Sequence, residues 1–126
     1  MEKNVIVTEK APAPIGPYSQ AIQFGNMLFI SGQVAINPAS GNVEATDIGG
    51  ETRQVMQNLH AILEQAGYDF SHIVKTTIFL SDMSLFAAVN EIYGTYFSSA
   101  FPARETVAVK GLPKNVNVEI SMIAGK

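Results

Sequence analysis

Cysteine is missing from all 126 positions, and its absence closes off disulfides, thiolate nucleophiles and Cys-based metal sites. Histidine is nearly missing too. His60 and His72 are the two present, neither with a partner at ligand spacing, so a zinc site built mainly on imidazoles is not expected. Basic residues are few: 8 Lys+Arg against 11 Asp+Glu leave a net charge of −3. Spread along the chain, they form no basic patch of the kind phosphate neutralisation requires, so nucleic acid is not the expected partner. No apolar run approaches the ~18 residues a membrane span needs. The opening Met-Glu-Lys-Asn-Val sets acid and base before any apolar stretch, unlike a secretory signal. The expectation is a chain with no cofactor, no metal, no membrane and no nucleic-acid partner, for which a reducing cytoplasm is a permitted address. Hydrolysis in such a chain runs without metal, thiol or His-based triad.

What is present is apolar: 47% of residues are hydrophobic and 15% charged, enough to bury the core of one domain over residues 1–126. Residues 4–8 read as a short strand. They lead into Ala11-Pro12-Ala13-Pro14-Ile15-Gly16-Pro17, too rich in proline for a helix or a central strand. With no serine or charge, this stretch predicts a stiff loop held against the body of the protein rather than a flexible linker. Residues 21–24 and 27–31 flank Gly25-Asn26 as a hairpin.

From residue 48 to 66 the period turns helical: Ile48, Thr52, Val55, Met56, Leu59, Ile62, Leu63 and Ala66 share one stripe. Thr46 or Asp47 can cap its start and Gly67 its end. His60, at the flank of the stripe, reads as a boundary residue. Residues 73–80 are β-branched and strand-like. Ser81-Asp82 can cap a second helix through about residue 97, with Leu85, Phe86, Val89, Ile92, Tyr93 and Tyr96 as its apolar face. A final hairpin is expected from residues 105–109 and 117–123 across the loop holding Gly111 and Pro113. The order β-ββ-α-β-α-ββ predicts an α+β fold, a mixed sheet with two helices on one face. The bare opposite face predicts self-association.

Several residues could carry chemistry. Arg104 opens the penultimate strand and Glu119 lies in the last; if those strands pair, the two come within a residue or two of facing each other. A cross-strand salt bridge, worth ~1 kcal/mol or less when exposed, explains such a pair equally well. Tyr18, delivered by the proline loop, can stack on or donate to a planar ligand, or simply pack. Ser31-Gly32-Gln33 ends a strand with a hydroxyl and a permissive backbone, but without a base beside it Ser31 is no convincing nucleophile. Asn90 sits at the edge of the second helix's apolar stripe, where its amide can point inward or to solvent.

In order and spacing, Ala13-Pro14-Ile15-Gly16-Pro17-Tyr18-Ser19-Gln20-Ala21, Ser31-Gly32-Gln33, Val74-Lys75-Thr76-Thr77 with Asp82, Val89-Asn90 with Tyr93 and Phe97, Phe101-Pro102-Ala103-Arg104, Leu112-Pro113 and Val118-Glu119-Ile120 resemble the RidA/YjgF family over residues 8–124. The resemblance implies a chorismate-mutase-like fold in a cytoplasmic homotrimer with a cleft at each subunit interface. It implies hydrolytic deamination of 2-iminopropanoate (2-aminoacrylate) and 2-iminobutanoate to 2-oxo acids and ammonia. The family's carboxylate-binding arginine falls on Arg104, its tyrosine on Tyr18, its cleft serine on Ser31, its asparagine on Asn90 and its glutamate on Glu119. Gly32, Thr106 and backbone groups near Ser31 and Val107 would complete the substrate pocket. Where many members carry a cysteine two residues after the arginine, this chain has Thr106, so cysteine-dependent side activities do not carry over.

On that reading Arg104, Glu119 and Tyr18 are catalytic. The Arg104 fork grips the substrate carboxylate bidentately, and Glu119 positions a water and moves its proton. Two rivals stand beside it. One is a non-enzymatic module sensing small carboxylate metabolites, which would have no need of Glu119. The other is an endoribonuclease, which the acidic composition disfavours.

Overall fold

The computed structural model describes residues 2–126. Six strands, β1 (Lys3–Ile6), β2 (Ala21–Phe24), β3 (Met27–Gln33), β4 (Ile73–Leu80), β5 (Ala103–Ala108) and β6 (Val118–Gly125), form one mixed sheet in the order β1-β2-β3-β6-β4-β5. Two helices, α1 (Ile48–Ala66) and α2 (Phe86–Gly94), cover one of its faces. The element order is the expected one.

Strict alternation builds the core. β6 buries Val118, Ile120, Met122 and Ala124 while its other residues stay partly exposed, and β4 buries Thr76, Ile78 and Leu80 on the same side. Against this face α1 lays Val55, Met56, Leu59, Ile62 and Leu63, all fully buried, and α2 adds Val89 and Tyr93. Each such aliphatic side chain withdrawn from water contributes on the order of 1.5–3 kcal/mol before entropy is counted.

The caps of α1 follow the sequence. Asp47 accepts from the Gly50 amide at 2.7 Å, and Gly67 turns left-handed (φ 81°) to close the last turn. The second helix is shorter than its periodicity suggests. Asp82 caps a 3₁₀ turn over Met83–Leu85, and α2 proper ends at Gly94, so Tyr96 and Phe97 pack from beyond its end.

The proline-rich stretch is held at its start, as its composition predicts, while residues 13–17 lie exposed. The buried Gln20 amide does the holding: its oxygen accepts from Thr8 N at 2.8 Å, and its nitrogen donates to the carbonyls of Thr8 (2.9 Å) and Pro12 (3.0 Å). Asn58 in α1 tethers the segment after β3 by donating to the Val34 and Ile36 carbonyls at 3.1 and 3.0 Å.

A second expectation, about topology, fails outright. The last two strands do not form a hairpin. β5 runs parallel to β4 at the sheet edge, with Thr76 beside Arg104, and β6 inserts between β3 and β4, antiparallel to both. The loop between β5 and β6 therefore passes over β4 rather than reversing into a neighbour. This correction governs where the site residues lie.

Candidate functional site

Register decides which face each residue takes. Arg104 lies beside Thr76, which is buried under the helices, and Thr76 in turn pairs with the buried Met122. Glu119 pairs with Phe79, at odd spacing from Thr76, and so points to the open face. Arg104 and Glu119 are thus separated by β4, by roughly 10 Å across the strands and roughly 10 Å along them, and by the thickness of the sheet. Within one chain they are not a cross-strand pair, because the hairpin that would align them does not exist.

On the helix side, Arg104 leans over α2. Its Nη1 donates to Asn90 Oδ1 at 2.7 Å, and its Cζ stands 5.1 Å from the Tyr93 ring centroid and 5.7 Å from that of Phe86. These are cation–π distances. Phe101 and Pro102 complete an open cleft around the guanidinium. Burial pushes the Tyr93 phenol up, even though its hydroxyl donates to Thr76 Oγ1 at 3.0 Å and Arg104 lies near. Asn90 is therefore found at Arg104's side. The roles of Phe86 and Tyr93 are not visible in an apolar stripe; their spacing with Asn90 (positions 86, 90, 93) was the available signal.

On the open side, Glu119 stands in a different cavity. This space, of about 230 Å³, is lined among others by Tyr18, Gly32, Ile15, Val34, Pro113 and Glu119. Its entrance is shaped by a β-bulge. Between Ile30 and Gln33, β3 carries one residue more than β6, so Ser31 and Gly32 share the slip in register. A Cβ on Gly32 would lie 2.8 Å from Glu119 Cδ and 3.1 Å from Cγ, so only glycine lets the carboxylate rest there. Burial raises the Glu119 pKa above its ordinary value, and among the described residues no charged partner offsets it. Phe79 lies beside Glu119, and Val107 lies beyond Phe79 in the same row.

The remaining candidates divide. Ser31 donates its hydroxyl to the Ser19 carbonyl at 2.6 Å, and its amide donates to the Gln20 carbonyl at 3.0 Å, so it fastens the loop that delivers Tyr18. Tyr18 is half exposed and borders both that cavity and the groove beside Ser31. Thr106 takes the helix face like Arg104, but its Oγ1 is buried without a partner and does not border the Arg104 cleft. Lys114, in the left-handed region at φ 61°, lines the Glu119 cavity and was not singled out by sequence. Among the described residues no three His, Asp or Glu side chains gather as a metal site, and no helix is long and apolar enough to cross a membrane.

The profile of the family described as Endoribonuclease L-PSP matches residues 8–126. A mouse protein named 2-iminobutanoate/2-iminopropanoate deaminase is 49% identical over 97% of this chain and 90% of its own length. This chain belongs to the RidA/YjgF family. Within that family a RutC family protein of Pyrococcus horikoshii is 53% identical, covering 98% of both chains. The solved structure of a Rid family protein from Yersinia pestis superposes with a TM-score of 0.96 at 51% identity, covering 99% of this chain and 100% of the other. The Escherichia coli YjgF gene product gives 0.93 at 45% identity, over 98% of each chain. The mixed six-stranded sheet with two helices is the fold of these RidA/YjgF relatives.

Proposed function

We propose that the protein is a cytoplasmic homotrimeric hydrolase that deaminates 2-iminopropanoate and 2-iminobutanoate, with their enamine tautomers, to 2-oxo acids and ammonia. The observation that carries this reading is the partition of the two functional groups. A fixed guanidinium lies on the helix face at one sheet edge, and a half-buried carboxylate lines a mostly apolar cavity on the other face. An anchor and a proton carrier divided by their own sheet make one site only when two copies of the chain meet. The open face carries Phe29, Val107 and partly exposed Phe79 and Ile123, apolar surface of the kind that assembly covers. The mouse relative's name points to the same chemistry.

The chemistry follows from these groups. Arg104 holds the carboxylate of the imino acid by parallel charge-assisted hydrogen bonds. A water adds its oxygen to the imine carbon and gives a proton to the Glu119 carboxylate, and the Glu119 acid passes that proton to the imine nitrogen as the C=N π bond opens. Glu119 then takes the carbinolamine's hydroxyl proton and returns it to the amino nitrogen as the C–N bond breaks, releasing ammonia and leaving the 2-oxo acid. A raised pKa keeps Glu119 nearer the pH at which it can both take and return that proton. Tyr18 closes one wall. Such imines hydrolyse spontaneously, so anchoring plus one acid–base group, ~10²-fold or more, is sufficient. A pure carboxylate sensor has no use for the half-buried acid, and this favours the enzyme.

The test is keto-acid release from a coupled threonine dehydratase. Arg104→Lys should lose most of the activity with the fold intact; undiminished rates sink the proposal. Mixing Arg104→Ala and Glu119→Gln chains, each inactive alone, should restore roughly a quarter of the sites by random assembly. Light scattering should report three subunits, and a monomer would refute the interface site.

A further inference from the structure

We infer that Asn90 is a positioning residue rather than a substrate contact: with the rings of Phe86 and Tyr93 it holds the Arg104 guanidinium in its working orientation before any carboxylate arrives. This rests on Arg104 being the anchor. Phe86, Asn90 and Tyr93 follow one another at helical spacing along α2, so one stripe of the helix faces the edge strand. Two rings and an amide on that stripe meet the same guanidinium, at 5.7, 5.1 and 2.7 Å.

The chemistry of the amide matters. A guanidinium has donors only, so Asn90 must present its oxygen. That bond uses one of five N–H groups and leaves the rest for a ligand. Being neutral, the amide also leaves the positive charge intact, as a carboxylate in its place would not.

The support is itself anchored. Tyr93 is buried, its hydroxyl bonds Thr76, and its ring packs 4.9 Å from that of Phe97. Thr76 is the β4 neighbour of Arg104 in the sheet. The contacts therefore close a circuit from the Arg104 side chain through Tyr93 and Thr76 back to the Arg104 backbone. An arginine that must otherwise choose among many rotamers is thereby kept near one, which raises the fraction of protein competent to bind.

The test needs no turnover. The chain has two arginines, Arg53 and Arg104, so nitrogen NMR of the ligand-free protein resolves each side chain, with Arg53 as control. Asn90 is exposed on a helix, so Asn90→Ala should fold. Wild type should show slow rotation about the Arg104 Nε–Cζ bond, Asn90→Ala should speed it about tenfold, and Asn90→Asp should keep it slow. In kinetics, Asn90→Ala should raise KM for 2-iminobutanoate and Ki for 2-oxobutanoate about tenfold, with kcat changed less than about twofold. Equal rotation in wild type and Asn90→Ala overturns the inference, whatever happens to Ki. A restrained Arg104 in a protein that fails to speed imine loss would instead overturn the proposed function and leave this inference standing.

Discussion

Replacing Gly32 by alanine adds a single methyl and isolates the placement of Glu119. Gly32 is not among the residues with left-handed backbone, so alanine meets no conformational penalty and should gain about 0.4–1 kcal/mol by restricting the unfolded chain. Against this, the new Cβ would sit 2.8 Å from Glu119 Cδ. Ordinary carbon contacts are ~3.5–4.0 Å, so the carboxyl must retreat by about 1 Å. Overpacking a closed core typically costs about 1–3 kcal/mol. Here the carboxylate is half buried beside a cavity of about 230 Å³ and has somewhere to go. The two effects should nearly cancel, leaving stability within about 1 kcal/mol of wild type, a few degrees in Tm. Activity should respond quite differently. A displacement of about 1 Å at a proton-transfer group costs up to about 10²-fold, so kcat in the dehydratase-coupled assay should fall about 10- to 100-fold while KM holds. A displaced Glu119 is also better hydrated, so the acid limb of the pH–rate profile should move to lower pH. Full kcat in the variant, or a loss of activity that simply tracks unfolding, would refute the reasoning.

Two further outcomes concern buried polar atoms. Because burial raises the Glu119 pKa in the folded state, its ionisation opposes folding: wild type should lose stability relative to Glu119→Gln as pH rises from the ordinary carboxylate value through the raised one, and the difference should be constant above that window and small below it. Urea titrations of both proteins across acid to neutral pH check the sign. Thr106→Val removes a buried hydroxyl that has no partner and keeps the β-branched shape, so Tm should rise by an amount equivalent to about 1 kcal/mol; a fall would show that the hydroxyl is satisfied in solution.

Local features were largely legible in the sequence. The stripe of α1, its Asp47 cap and the Gly67 stop are written in short-range spacing, and so is the alternation of β6. The second helix was overestimated because Tyr96 and Phe97 keep its apolar theme after Gly94 has ended it. The false hairpin has a different origin. Two strands joined by a turn-rich loop suggest a hairpin, yet β5 is short and carries Arg104 and Glu105, the charged signature of an edge strand, whereas β6 buries every second residue as a central strand does. The same error hid the true relation of Arg104 and Glu119. Side-chain face depends on register with a third strand, β4, and no pairwise reading of two strands contains it. The bulge at Ser31 and Gly32 was similarly invisible, although the glycine was noticed as permissive.

The sheet that separates Arg104 from Glu119 acts as a partition, and this changes what a single chain can be. On the proposed function, a newly made copy would carry half of each of two different sites and complete neither. Catalytic competence would then be a property of encounter: it would vanish on dilution below the dissociation constant of the assembly, and it would return between two chains damaged in different halves. A lesion anywhere on the open face, far from the reacting atoms, could silence the chemistry simply by keeping neighbours apart.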